Sequence, residues 1–469
     1  MNLTIPHLLS ARAAAEPDRV AMIVHGRAEL TFKQWTARAE AVAAGLLSRG
    51  VNPGDRVGLR FTNAEWTDYA VAFCGVLAAG AVAVPLSDRL TDDDLRATLA
   101  DCRAAAVVHG ADLESPGWWI GDLQAAGPGD LVPPRPGDPA QILYTSGTTG
   151  RPKGVLASHA NLAHGCGGKR RPFAHSRHLA HAFPIGTNAG QAMLINALDA
   201  HPAVLTLPHF TPGRFAALIE SHRAGTVFLV PAMAIALLNA AVHERHDLSS
   251  VLLLGSAAAP LPAPVAARLA EAFPRATIAN YYTSTEAAPA QTIMIFDPDR
   301  PGSVGRPVAG GLVRVDAPRG EVGEVWMRSP AAPRAYYGDP GSDVFRDGWI
   351  RMGDLGYLDE DGYLFLVDRE SDVVKSGAYK VSTIRVEDAA YEHPAVAEAA
   401  ALGVPHPVLG RAIAVAMVTR SPLKAEELRV FLKDRLASHE VPVHVITLDA
   451  LPRNQGGKVD KRQLLERFA

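Results

Sequence analysis

Residues 142–154 read Ile142-Leu143-Tyr144-Thr145-Ser146-Gly147-Thr148-Thr149-Gly150-Arg151-Pro152-Lys153-Gly154, an apolar strand running straight into hydroxyls, glycines and one lysine. Four hydroxyls fall in the five positions from Thr145 to Thr149, where each can donate to a phosphate oxygen. The glycines permit tight turns that bring backbone N–H groups up to an anion, and Lys153 adds positive charge. This reads as a phosphate-handling loop. A Walker loop needs Gly, four residues, then Gly-Lys-Ser/Thr. Pro152 stands at that distance from Gly147, and Gly154 follows Lys153, so the Walker reading fails. A plain Ser/Thr/Gly surface turn does not account for the ordered set with its Pro-Lys-Gly ending.

Upstream, helices alternate with short apolar strands. Thr31 and Gln34 have capping-box spacing, and Trp35, Ala39, Val42 and Leu46 follow at helical spacing until Gly50. The pattern continues with a strand at 55–59, a helix at 66–79, a strand at 81–85, a helix at 91–100 and a strand at 104–108. This alternation predicts a mostly parallel sheet covered by helices. The Pro/Gly-rich stretch 127–139 reads as a surface loop into the opening strand. Further strands are expected at 203–207, 226–230 and 251–254, giving a second α/β layer to about residue 300. From Gly302 the texture becomes β-rich, as in a small sheet or barrel on the α/β body. Past Arg369 the chain has its own helix and strand signals, including a helix at 423–436, enough for a compact terminal domain.

Composition narrows the class. With 48% apolar and 20% charged residues in 469, the chain is globular and long enough for two or three domains. A net charge of −3 offers no long-range attraction to nucleic acid or anionic membranes. Cys74, Cys102 and Cys166 are widely spaced, which suggests a reducing compartment. No charged segment followed by an apolar core opens the chain, and the apolar run 72–86 is shorter than the roughly 20 residues of a membrane span. A cytoplasmic enzyme, monomer or homodimer, is expected. His175, His178 and His181 are three apart, but no cysteine or carboxylate completes a ligand set. His159 and His164 read as packing or capping residues.

Further segments carry chemistry: Gly255-Ser256-Ala257-Ala258-Ala259-Pro260-Leu261, Asn280-Tyr281-Tyr282-Thr283-Ser284-Thr285-Glu286, the run from Asp347 to Gly356, Val367-Asp368-Arg369-Glu370-Ser371-Asp372, and the run from Leu451 to Arg462 with Gly456-Gly457-Lys458. Each alone is weak. Together, in this order after the phosphate loop, they resemble the adenylate-forming superfamily of acyl-CoA synthetases, luciferases and peptide-synthetase adenylation domains. The resemblance covers essentially the whole chain. It implies an α/β fold with a large N-terminal domain of two α/β layers plus a β-rich subdomain (1–370), and a small mobile α+β C-terminal domain (371–469) carrying a lysine loop.

The same resemblance implies site roles. Thr145, Ser146, Gly147, Thr148, Thr149, Gly150 and Lys153 would hold ATP phosphates, and Ala257, Ala258, Ala259, Tyr281, Tyr282 and Thr283 would surround adenine, with Tyr282 stacking on it. Thr285 would touch the α-phosphate and Glu286 would hold Mg²⁺, a hard cation suited to carboxylate oxygen. Asp354 and Arg369 would bind the ribose hydroxyls, and Ser371 would be the hinge. Lys458 would stabilise charge building on the carboxylate and α-phosphate. Gly186, Thr187, Asn188, Met233 and Ser256 would line the acid pocket, and Gly377 and Ala378 the thiol tunnel.

Five positions depart from the family pattern. Thr283 replaces a glycine, and Ser371 replaces an Asp or Lys. Gly186 and Thr187 replace an aromatic and a histidine, implying a roomier pocket for a bulky, largely apolar acid. Ala378 replaces a tunnel glycine, so a methyl would crowd pantetheine. The implied reaction is ATP-dependent formation of acyl-AMP, then transfer to coenzyme A or a phosphopantetheine thiol. Two alternatives stand beside it: an adenylating enzyme whose acyl-AMP passes to a separate thioester-forming enzyme, an acyl carrier protein or another nucleophile, or whose acid is an oxyanion such as nitrite; and a silent binding homologue.

Overall fold

The computed structural model describes residues 3–125, 131–145, 152–339, 343–454 and 457–468. Among these residues the strands form sheets of seven, fourteen and five. The fold is α/β, with a large N-terminal domain and a smaller C-terminal one.

In the seven-stranded sheet, Arg56–Arg60 pairs in parallel with Val82–Leu86 and with Ala104–His109. The helix Phe32–Ser48 begins with the expected capping box: Gln34 N–H donates to Thr31 Oγ1 and Thr31 N–H to Gln34 Oε1. It packs against Trp66–Ala78, and the apolar run 72–86 is a buried helix leading into a buried strand. Pro139–Thr145 and Lys153–Ser158 pair antiparallel, the last rung setting Thr145 opposite Lys153. The ends of the phosphate loop are therefore fixed by a sheet ladder. Ser146, Gly147, Thr148, Thr149, Gly150 and Arg151 lie outside the described residues.

The second layer contains His178–His181, Thr226–Leu229, Leu253–Ala257 and Thr277–Tyr282 in parallel register. The third of these runs later than the expected 251–254. Val251 closes a turn onto Leu248, whereas Ser256 and Ala257 have ladder partners in Asn280 and Tyr281. The β-rich region forms no separate sheet. Thr292–Ile295 and Ser303–Pro307 carry it edge to edge onto the α/β layer, although it packs its own apolar cluster around Val325, Met327, Ile350 and Leu364. A local alternation pattern cannot reveal this, because a shared ladder is a long-range pairing.

The small domain has its own sheet and its own core, with Val374, Val381, Val386, Val415 and Leu432 buried together. Its helix Ala425–Lys433 is shorter than the expected 423–436, starting after Lys424, whose backbone N–H donates to Glu427. No helix among the described residues is long and apolar enough to cross a membrane.

Candidate active site

Two polar poles and one lysine define the candidate site. The first pole is Asp354, in the strand Trp349–Leu358, directly opposite Arg369 on Leu364–Arg369. Asp354 is buried. Its Oδ2 accepts the Tyr282 hydroxyl at 2.6 Å, and its Oδ1 lies 3.5 Å from Arg369 Nε. Burial pushes the Asp354 carboxyl above its ordinary range, while Arg369, the Tyr282 hydroxyl and Lys458 pull the other way. Both expected ribose residues thus meet here, together with the expected adenine residue Tyr282.

The second pole is built on Glu286, whose Oε1 accepts the Tyr336 hydroxyl at 3.0 Å. Lys153 places its ammonium 4.8 Å over the Tyr336 ring, so one tyrosine links the phosphate-loop lysine to Glu286. Behind them Arg334 is buried and forked. Its Nε donates to Asn161 Oδ1 at 2.9 Å, and one Nη donates to the Thr285 carbonyl at 2.7 Å and to Asn188 Oδ1 at 3.4 Å. Asn161 in turn donates to the carbonyls of Ala288 and Ala332. Burial lowers the Arg334 guanidinium to about 10, opposed by the nearby Glu286 charge. Arg334, Tyr336 and Asn161 were not recognised from sequence. Arg334 stands 173 residues from Asn161, and a lone arginine in an irregular stretch carries no local signal.

Lys458 is coupled by charge to both poles. Asn454 and Lys458 are joined by Asn454 N–H to the Lys458 carbonyl (2.8 Å) and Lys458 N–H to Asn454 Oδ1 (3.1 Å). Gly457, at φ +79°, lies near Val230 of the large domain. The Lys458 side chain is solvent-exposed, although protein atoms surround it. Desolvation there, helped by the Arg369 charge, lowers its ammonium to about 8, while Asp354 and Glu286 counteract. One cation therefore feels both poles.

The remaining expected residues divide. Thr283, where glycine was anticipated, turns its hydroxyl onto the Ala290 carbonyl at 2.6 Å. Tyr281 points away from Tyr282 by strand alternation and packs on Phe228, with ring centroids 5.3 Å apart and Gly255 beneath them. Ala257, Ala258 and Ala259 are half-buried, and Ala258 holds φ +77°, a strained value for a side-chain residue. Ser256 is fully buried on the face of Leu254, opposite the aromatic face of Gly255 and Phe228, so it does not line that side. Met233 packs between the two faces' clusters. Asn188 is drawn to Arg334, and Thr187 caps the helix Asn188–Asp199 by accepting Gly190 N–H. Gly186 does not widen the pocket. A Cβ there would sit 2.8 Å from the Ser87 backbone nitrogen, so backbone fills the space a side chain would have used.

At the expected hinge, Ser371 is exposed and donates to Asp372 Oδ1 at 2.9 Å. Gly377, at φ +59°, and Ala378 form the exposed turn between Val374–Ser376 and Tyr379–Val381. In this posture Lys458, not Ala378, faces the poles. The histidines lead elsewhere: His178 and His181 fall on different faces of their strand, His178 bonding the His222 carbonyl and His181 accepting Phe183 N–H in the core. His159 is buried and accepts Ile5 N–H.

A family model described as AMP-binding enzyme matches residues 9–337, and one described as AMP-binding enzyme C-terminal domain matches 385–458. The chain belongs to the AMP-binding enzyme family. Feruloyl-CoA synthase from Amycolatopsis sp is 34% identical over 97% of this chain and 97% of its own length. The structure is similar to ATP-bound MatB from Rhodopseudomonas palustris, with TM-score 0.88, 28% identity and 99% of each chain covered. It is also similar to the amide bond synthetase McbA from Marinactinospora thermotolerans, with TM-score 0.83 and 28% identity over 98% of this chain and 99% of that one. Membership makes the chain an AMP-forming ligase of the acyl-CoA synthetase type that binds ATP and AMP.

Proposed function

We propose that the chain activates a largely apolar carboxylic acid as acyl-AMP and transfers the acyl group to coenzyme A. The observation that carries this reading is the pairing of Asp354 with Arg369 and Tyr282, to which Lys458 is coupled by charge, as it is to Glu286. A carboxylate oxygen attacks the α-phosphorus of ATP, the bond to the β-phosphate oxygen breaks, and pyrophosphate leaves. Thiolate sulfur then attacks the acyl carbon and AMP departs. Lys458 stabilises the charge on the carboxylate and α-phosphate during the first step, and Asp354 with Arg369 holds the ribose. Thr285 approaches the α-phosphate, its backbone fixed by Arg334.

Glu286 suits Mg²⁺. Tyr336 occupies one of its oxygens, and among the described residues the other has no hydrogen-bond partner, matching a cation that takes one or two carboxylates and otherwise phosphate and water oxygens. Bound there, the cation would offset negative charge on the phosphates. The hinge falls at Ser371, dividing 1–370 from 371–469. The feruloyl-CoA synthase likeness and the aromatic face of Phe228 and Tyr281 favour an aromatic acid.

A second reading keeps the first step and gives the acyl group to an amine. The McbA likeness and the methyl of Ala378 favour it. The test is pyrophosphate release across an acid panel, with coenzyme A, an amine or neither, and products identified by mass. Acyl-AMP that persists with coenzyme A but is consumed by amine selects the second reading. Absence of acid-dependent pyrophosphate with every acid rejects both.

A further inference from the structure

Three residues beyond Lys458, a second lysine has the opposite surroundings. Lys461 opens the short helix Lys461–Leu465. Its ammonium donates to Thr383 Oγ1 at 3.0 Å and lies 3.5 Å from Glu387 Oε1 and 3.7 Å from Asp372 Oδ2. Thr383 begins the helix Thr383–Tyr391, and both its N–H (2.5 Å) and its hydroxyl (2.9 Å) donate to Asp368 Oδ2. Asp368 adjoins Arg369 on the large-domain side of Ser371, while Asp372 follows Ser371 directly. An ammonium, a hydroxyl and a carboxylate therefore form a relay across the hinge.

We propose that Lys461 is a positioning residue for adenylation, tying the chain that carries Lys458 to the hinge through Asp372 and to the helix Thr383–Tyr391 through Thr383 and Glu387. The inference rests on the proposed role of Lys458. The tether is short, since three residues span at most about 10 Å. It is also stiff: Asp460 N–H donates to the Pro452 carbonyl, and the Asp460 side chain caps the helix by accepting from Arg462 and Gln463 N–H. Burial works against the Lys461 charge, yet Glu387, Asp372 and Asp368 outweigh it and hold the ammonium above its ordinary range. Without that cation the three carboxylates repel one another, the anchor is lost, and the loop holding Lys458 is free to shift.

The experiment compares Lys461→Met, Lys461→Arg and Lys458→Ala in two assays: acid-dependent pyrophosphate release, and consumption of supplied acyl-AMP by its acceptor. Lys461→Met is expected to lower kcat for pyrophosphate release on the order of a hundredfold, the usual consequence of ångström-scale misplacement, with KM for ATP and the second assay within about threefold. Lys461→Arg, keeping the charge, should recover most of the loss, and the basic limb of the pH–rate profile should move in Lys461→Met but not in Lys461→Arg. Unchanged kcat in Lys461→Met, or equal losses in both assays that arginine does not rescue, overturns the proposal. If Lys461→Met does not fold, Asp372→Asn removes the hinge tie alone; about a tenfold loss confined to pyrophosphate release supports the proposal and no loss overturns it. A fully active Lys458→Ala would instead reject the reading of Lys458. An inactive Lys458→Ala beside an active Lys461→Met rejects the positioning proposal only.

Discussion

The Tyr282 hydroxyl donates to Asp354 Oδ2 at 2.6 Å, joining two strands through residues that lie 72 apart in sequence. An ionised carboxylate offers about four acceptor sites, so Tyr282 and Arg369 orient Asp354 without exhausting it. The residue expected to stack on adenine therefore also aims the residue expected to bind ribose.

Tyr282→Phe separates these roles, because the ring stays and the hydrogen bond goes. A bond to a charged group contributes about 1.5–3 kcal/mol. If its loss misdirects Asp354, KM for ATP should rise about tenfold, with kcat for pyrophosphate release within about threefold. An unchanged KM would show that Asp354 holds its direction without the tyrosine.

Arg334 gives a sharper test of geometry against charge. Its fork bonds Asn161, Asn188 and the Thr285 carbonyl from one buried position. Lysine keeps the charge but cannot reproduce the fork. Arg334→Lys and Arg334→Met should therefore both lower kcat for pyrophosphate release, each by about tenfold or more. Near-normal activity in Arg334→Lys would show that only the charge beside Glu286 is needed.

The fold was legible where residues signal locally. Thr31 and Gln34 capped their helix as spaced, and helix–strand alternation disclosed both α/β layers. The motifs named Asp354, Arg369, Glu286 and Lys458, and the chain pairs Asp354 with Arg369 on adjacent strands. What local pattern could not disclose was long-range pairing: the joining of the β-rich strands to the main sheet, and the partnership of Arg334 and Tyr336 with Asn161 and Glu286. Gly186 shows a different limit. A small residue was read as empty space, but its neighbour is the Leu86–Ser87 backbone.

That contact makes Gly186 a stability position. A methyl there would meet Ser87 N at 2.8 Å and the Leu86 carbonyl carbon at 3.1 Å. Backbone yields less readily than a side-chain end, so Gly186→Ala should cost about 1–3 kcal/mol. Denaturant unfolding followed by fluorescence checks this. A variant as stable as the parent would mean that the segment moves away freely and that the pocket is adjustable.

Lys458 predicts a pH dependence. Its ammonium is lowered to about 8, so it is charged below that pH and neutral above it. If the charged form supports acyl-AMP formation, kcat/KM for pyrophosphate release should fall as pH rises through about 8, since this ratio reports the free enzyme. Lys458→Ala should remove this limb and lower the rate roughly a hundredfold or more, while ATP binding by calorimetry stays within a fewfold. A basic limb that survives in Lys458→Ala would assign it to another group.

Ala378 bears on the second step, and its position explains why the first should be indifferent to it. In the present posture it sits at an exposed turn while Lys458 faces the poles, so a methyl there obstructs nothing needed for acyl-AMP formation. On the proposed hinge at Ser371, a rotation of the small domain would bring this turn toward the acyl group, where the methyl would meet pantetheine. Ala378→Gly should therefore leave pyrophosphate release unchanged and speed thioester formation from supplied acyl-AMP, by about tenfold if the methyl costs about 1.4 kcal/mol in the tunnel. The glycine also loosens a turn already containing Gly377, which would alter both steps if flexibility rather than bulk were decisive. Single-turnover measurement of each step distinguishes the two. An unchanged thioester rate would remove the steric argument and leave the amine-accepting reading to rest on the McbA likeness alone.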